Sequence, residues 1–253
     1  MIEQLLSDLK MLGALNFFNN LKEDVLSKED FLIHILKSEI NWKSKNKLIR
    51  RLGTASFPYE REWSQIERDK NIKINFKKIQ TFSDGDFVDK KANLCFIGAP
   101  GLGKTHCLIS IGRDLCRKGY STKFYTAIDL VTKLLEAKKN NELSNLMEKI
   151  TKHSLLIIDE LGFVPLSDEG SRLLFDVFSK RYEKGSIAVS TNLSLPKWVQ
   201  TFGCIELTNA LIDRFTHKCD VFVFEGESYR YLESKESTKL EKINPAKTLK
   251  ASK

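Results

Sequence analysis

One octapeptide limits the possible folds of this chain more than any other feature: Gly98-Ala99-Pro100-Gly101-Leu102-Gly103-Lys104-Thr105 matches GxxxxGK[ST] in full. A short apolar run at 93–97 precedes it and a helical pattern over 103–116 follows it, the strand–loop–helix setting that the motif requires. Glycines let backbone N–H groups turn inward around an anion, where a Cβ would collide. The following helix points its positive N-terminal end at the same place. Lys104 then brings a point charge to the β- and γ-phosphates of a nucleotide, and Thr105 offers a hydroxyl to Mg²⁺. Gly98, Ala99, Pro100, Gly101, Leu102, Gly103, Lys104, Thr105 and the adjoining His106 are therefore the expected contacts for ATP.

Further along, Leu155-Leu156-Ile157-Ile158-Asp159-Glu160 runs four apolar residues into two carboxylates. Four consecutive aliphatics fit a strand buried on both faces. The acidic pair then emerges at the strand's C-terminal edge, beside the phosphate loop. Asp159 is expected to hold Mg²⁺ through water, and Glu160 to orient and deprotonate the attacking water. Taken alone, such a pair is more often a helix cap or a loop; one intervening strand, Thr122–Thr126, favours the catalytic reading here. An amphipathic helix around Leu130, Leu134 and Leu135, a helix over 168–183, a strand at 186–190, a helix at 207–216 and a strand at 221–224 complete the alternation. The pattern predicts an α/β three-layer sandwich with a mostly parallel sheet.

Two more elements point to the AAA+ type of P-loop ATPase. Ser190-Thr191-Asn192 ends a strand, and Asn192 is a candidate to bond the γ-phosphate or the lytic water, although an Asn there serves equally as a turn residue. Leu211-Ile212-Asp213-Arg214 resembles the box that holds an arginine finger. An arginine supplied by a neighbouring subunit raises the rate by about 10³–10⁵; the competing role for Arg214 is a structural salt bridge. A small-molecule P-loop kinase fits less well, because no lid or acceptor signature is present.

Residues 1–53 predict a small helical domain. Leu5, Leu6, Leu9, Leu12 and Leu15 recur at helical spacing. Ser27-Lys28-Glu29-Asp30 resembles a capping box with Asp in the Glu position, opening a helix that buries Phe31, Ile35 and Trp42. Gly53-Thr54 and Pro58 read as its break. Residues 54–91 are irregular and charged, an entry segment to the ATPase domain at 92–232, and 233–253 form a basic tail expected to be disordered.

Charge matters here because it is uneven: of a net +8, residues 1–91 carry +3, residues 92–234 carry +1 and residues 235–253 carry +4. Basic flanks around a neutral core point to a polyanionic partner, with a solvated lysine-rich surface as the alternative. Lys43, Lys47, Arg50 and Arg51 fall largely on one side of a helix, a stripe suited to the phosphates of duplex DNA without base readout. A solvated face snorkelling over the core remains open. Neither an apolar run of about 18 residues nor a signal-peptide pattern occurs, so no membrane and a cytoplasmic location are expected. Five cysteines and four histidines show no metal-ligand spacing.

The stretches LLIIDELGFVPL and EGSRLLFDVFSKRYEKGS, together with residues 98–106, Ser190-Thr191-Asn192, Trp198 and Gly226-Glu227-Ser228-Tyr229-Arg230, carry a resemblance to a known family. Over 92–232 the chain resembles the IstB-like transposase helper ATPases, which are related to the DnaC/DnaI helicase loaders. The resemblance implies a homo-oligomer that assembles on duplex DNA with ATP at subunit interfaces and then activates a transposase. It also implies an N-terminal helical domain that contacts DNA or the partner, and no C-terminal lid. A replicative helicase loader is the alternative function. A scaffold that binds ATP without turnover is a third, against which Lys104, Asp159, Glu160 and Arg214 argue. Arg181 and Arg230 are further candidates for nucleotide contact, Arg181 equally reading as an exposed helix end.

Overall fold

The computed structural model describes residues 1–21, 27–66 and 73–226; residues 227–230 of the GESYR motif, Arg230 among them, and the tail at 233–253 lie outside the described residues. Contacts divide the chain into two units, Met1–Thr54 and a larger one from Ala55 onward. The first holds α1 (Ile2–Asp8), α2 (Leu12–Asn19) and α3 (Lys28–Ala55), the last reaching one residue into the second unit. The leucine stripe is divided between two helices by a turn in which Lys10 adopts a left-handed φ of 54°. Only Leu6 of the stripe is buried, while Leu5, Leu9 and Leu12 are exposed. At the start of α3 the Asp30 N–H donates to the Ser27 hydroxyl, which donates back to the Asp30 carboxylate. The expected break falls one residue later than Gly53-Thr54: α3 passes through the glycine and ends at Ala55, before Pro58. One exposed glycine costs a helix about 1 kcal/mol, which 28 residues of helix override.

Within this unit Glu39 is buried and accepts N–H bonds from Gly13 at 2.8 Å and Ala14 at 3.1 Å. Met11, the N-cap residue of α2, has no side-chain oxygen for that task, so a carboxylate from α3 performs it. A Cβ on Gly13 would lie 2.4 Å from the Trp42 Cβ, which explains a glycine where the two helices touch. Burial would raise the Glu39 carboxyl, but the two N–H donors and Lys43, 3.2 Å away, outweigh it and hold it below the ordinary glutamate range.

The larger unit begins with two short helices, α4 (Phe76–Gln80) and α5 (Asp86–Asp89). After them come β1 (Asn93–Gly98), α6 (Lys104–Lys118), β2 (Thr122–Thr126), α7 (Ala127–Lys139), α8 (Leu143–Lys152), β3 (Leu155–Leu161), α9 (Asp168–Arg181), β4 (Ser186–Thr191), α10 (Val199–Phe202), α11 (Ile205–Thr216) and β5 (Cys219–Phe224). The five strands form one sheet in the order β2-β3-β4-β1-β5, every pair parallel. On one face α6 packs with Ile79, Phe87 and Val88 from the segment before β1. The other face is covered by α7 to α11 through Leu130, Leu134, Val177 and Phe215, with Trp198 from the turn before α10. The result is the three-layer P-loop sandwich expected of an AAA+ domain. Of the 54–91 stretch, read from sequence as an entry segment, Phe57, Trp63, Ile79, Phe87 and Val88 thus belong to this core.

Helix α8 is the longest element that sequence reading missed, beside the short helices α4, α5 and α10. Leu143, Leu146, Met147 and Ile150 recur at helical spacing, but the turn at Asn140-Asn141 leaves little room for a boundary signal. Among the described residues nothing helical follows β5, and no helix is long and apolar enough to cross a membrane. The chain runs from β1 to β2 on one side of the β1–β4 pair and from β4 to β5 on the other. That reversal opens a crevice outside the carboxyl ends of the strands, where open α/β sheets bind ligands.

Candidate functional site

The phosphate loop turns in this crevice, between β1 and α6. Gly103 takes φ +81°, a left-handed conformation that lets α6 start immediately at Lys104. Gly98 lies so close to β5 that a Cβ would meet the Phe224 carbonyl at 2.5 Å. The Lys104 ammonium donates to the carbonyls of Gly98 and Ala99, both at 2.7 Å. Pro100, Gly101, Gly103, Lys104, Thr105 and His106 line a cavity of about 350 Å³, within the range of small-molecule sites. Leu102 is instead buried in the core on the α6 side.

The acidic pair meets the loop as its spacing suggested. Leu155 to Ile158 are fully buried, and Asp159, 4% exposed, accepts bonds from the Thr105 hydroxyl at 3.0 Å to each of its oxygens. Burial pushes the Asp159 carboxyl up, while bonds from Ser190 and Thr105 pull against that rise. The next residue, Glu160, takes φ +59° and is exposed to the cavity. Pairing between β3 and β4 shifts register between Ile158 and Leu161; such a bulge re-aims a side chain. A hydroxyl and a carboxylate are hard oxygen donors of the kind Mg²⁺ takes together with phosphate oxygens and water, so Thr105 and Asp159 fit that ion. Among the described residues no group of three or more His, Cys, Asp or Glu is placed to hold another metal. Asn192, just beyond β4, lines the same cavity with Ser190 and Thr191.

The opposite wall comes from the segment before β1: Tyr59, Arg61, Gln65, Ile66 and Phe76. Long-range side-chain bonds hold it on α6. Glu62 accepts from Arg113 Nε at 3.0 Å and from Arg117 Nη2 at 2.5 Å. The Trp63 indole donates to Asp114 at 2.8 Å and Ser83 at 3.2 Å. His106 donates from Nε2 to the Glu62 carbonyl at 2.9 Å, since a carbonyl only accepts. The Arg117 guanidinium, aided by Arg113, holds the Glu62 carboxyl below its usual range against the effect of burial. Burial also lowers the His106 pKa. Sequence reading missed this whole wall, whose partners lie about fifty residues further along the chain.

The candidate arginines Arg214 and Arg181 lie elsewhere. Arg214, exposed on α11, bonds the Ser179 hydroxyl and stacks over Phe175 at 5.2 Å. It borders a shallow cleft with Asn93 and Ile187, at the starting ends of β1 and β4. Six strand residues span about 20 Å, so Arg214 is remote from the phosphate loop of its own chain. Arg181 is neither an exposed helix end nor a nucleotide contact within its chain. It is fully buried and donates to the carbonyls of Ile150, His153, Ser154 and Ser186 at 2.7 to 3.3 Å. Burial pushes its pKa down to about 10, and it ties the end of α8 to the starts of β3 and β4. On α3, Lys43, Lys47 and Arg50 are exposed and Arg51 is half-buried, with Lys43 paired to Glu39.

The chain is similar to known proteins over most of its length. The chain is 33% identical over 210 residues to an ATP-binding protein of insertion sequence IS5376 from Geobacillus stearothermophilus, covering 83% of this chain and 84% of that one. It is 31% identical over 245 residues to the corresponding protein of insertion sequence IS21 from Pseudomonas aeruginosa, covering 95% and 92%. The DnaC helicase loader has a similar fold, with a TM-score of 0.51 at 19% identity over 70% of this chain and 99% of that structure. A family model described as IstB-like ATP binding protein matches residues 5–237, and the chain belongs to that family.

Proposed function

We propose that this protein hydrolyses ATP as an oligomer assembled on duplex DNA, and that the assembly recruits or activates a partner transposase. The observation that carries the reading is the separation of two groups. Glu160 faces the nucleotide cavity, whereas Arg214 lies at the far end of the same sheet. A site so divided is completed by the Arg214 of a second copy. In the proposed reaction Lys104 and the loop N–H groups hold the β- and γ-phosphates. Glu160 takes a proton from water aligned by Asn192, the water oxygen bonds to the γ-phosphorus, and the bridging P–O bond breaks to give ADP and phosphate. Thr105 and Asp159 would hold Mg²⁺, which would neutralise phosphate charge there. Arg214 of the neighbour covers the charge that develops on the transferring group.

The basic half of α3, with Lys47, Arg50 and Arg51 and with Lys43 shared with Glu39, supports contact with DNA phosphates. Relatives named for insertion sequences favour a transposase over a replicative helicase as the partner. Five free thiols and the need for ATP fit the cytoplasm. The test is ATP turnover by purified protein, measured against protein concentration with and without duplex DNA. Turnover per subunit that rises with both is expected. Turnover indifferent to both would mean a self-contained site and would remove the interfacial role from Arg214.

A further inference from the structure

Ser190 is 2% exposed at the end of β4, in the position opposite the β3 bulge. On β3 three steps lead from Ile158 to Leu161, where β4 takes only two from Val189 to Thr191. The surplus residue falls at Asp159-Glu160, and Ser190 faces it. Its hydroxyl has one hydrogen to give and lone pairs to accept with. The hydrogen goes to the Asp159 carboxylate, and the Glu160 N–H donates to the same oxygen at 3.1 Å. One side chain therefore holds the carboxylate of one acid and the backbone of the other. The backbone it holds is the left-handed one, φ +59° at Glu160, which residues with a Cβ rarely adopt.

We infer that Ser190 is the positioning residue of the hydrolytic half of the site, keeping the bulge that aims Glu160 into the nucleotide cavity while fixing Asp159 beside Thr105. This rests on the hydrolytic role of Glu160 given above. Without the hydroxyl the Glu160 N–H loses its bond to Ser190, and among the described residues Asp159 keeps Thr105 as its one side-chain hydrogen-bond donor. The bulge then relaxes toward regular pairing, and a one-residue change of register carries a side chain to the opposite face of a sheet. Asn192 also lines the cavity but makes no such bridge between the two acids. Ser190 lies in the cavity lining but is 2% exposed, and the role assigned to it runs through its two acidic neighbours.

The test compares full-length wild type, Ser190→Ala and Ser190→Thr on duplex DNA. In Ser190→Ala, kcat is expected to fall about 10²-fold, as for a misplacement near 1 Å. The thermal midpoint should stay close to wild type. Ser190→Thr, which keeps the hydroxyl, should recover most of the rate. Unchanged kcat in Ser190→Ala, or a loss that Ser190→Thr does not repair while both remain folded, overturns the inference. Absence of turnover in wild type would instead sink the hydrolytic reading. The inference is then judged on the gain in affinity for a fluorescent ATP analogue when Mg²⁺ is added. Ser190→Ala should lose that gain and Ser190→Thr keep it; an equal gain in all three proteins overturns it.

Discussion

The two walls of the nucleotide cavity are held in place by different means. On the phosphate side the shape belongs to the backbone: a loop with Gly103 at φ +81°, the start of α6, and the ends of β1, β3 and β4. On the other side the segment carrying Tyr59, Arg61 and Ile66 is held by side chains, chiefly Glu62 on Arg113 and Arg117 and Trp63 on Asp114. A wall made by backbone tolerates most changed side chains, Ser190 excepted, but not an added Cβ. One clamped by side chains can loosen while the sheet stays intact. The first should therefore control chemistry, and the second how tightly the nucleotide is held.

The largest expected effect lies on the phosphate wall. Glu160→Gln keeps the shape of the side chain and removes the base, so turnover should drop about 10²–10⁴-fold while ATP affinity stays near wild type. Titration with a fluorescent ATP analogue alongside phosphate release separates the two quantities. Near-normal turnover would take the base away from Glu160. The other wall should respond in the opposite sense. Glu62→Gln removes the charge between two guanidinium groups, about a third of its side chain being exposed. Solvent screening reduces the loss to about 1 kcal/mol, or roughly fivefold weaker ATP binding. At saturating ATP, kcat should hold. A fall in kcat with affinity intact would show that the clamp acts through α6 on the phosphate loop, and the division between the walls would fail.

That division also explains what could be read in advance. Residues 98–105 and the run into Asp159-Glu160 are legible because phosphate chemistry demands glycines, one lysine and a hydroxyl at fixed spacing within a single loop. The strands were legible because burial on both faces leaves only aliphatics, as in 155–158. Glu62 and Trp63 were not, since their partners on α6 are set by tertiary folding and no local period marks them. Arg181 misled because a basic residue at a helix end normally meets water, whereas here backbone carbonyls surround it. Gly53 marks the end of α3 to within two residues, the helix carrying past it because a glycine's cost is small beside a long helix. The φ of Glu160 and its bond to Ser190 were equally out of reach: a bulge depends on register between two strands, which neither strand's residues announce.

The smallest effect should come from a side-chain clamp in the other unit, where Glu39 does for α2 what Glu62 does for the cavity wall. Its carboxylate accepts the Gly13 and Ala14 N–H groups, so charge and hydrogen bonding are separable by substitution. Glu39→Gln keeps an acceptor oxygen and loses the charge at a helix N-terminus, a cost of about 0.3–1 kcal/mol, and Glu39→Ala should cost more by leaving both donors unpaired. Because folding lowers the Glu39 pKa, its contribution is present in full above the unfolded value of about 4.3. It is lost as pH falls through the lower folded value. Hydrogen exchange of α2 amides is the direct measure, since the whole-protein melting point is dominated by the larger core. Exchange over Leu12–Asn19 should quicken about two- to fivefold in Glu39→Gln at neutral pH, and wild type should approach the variant as acid protonates the carboxyl. ATP affinity should not change in either case. Identical exchange in wild type and Glu39→Ala would mean that α2 is held by its apolar contacts alone, and that clamping by a distant carboxylate is peculiar to the nucleotide wall.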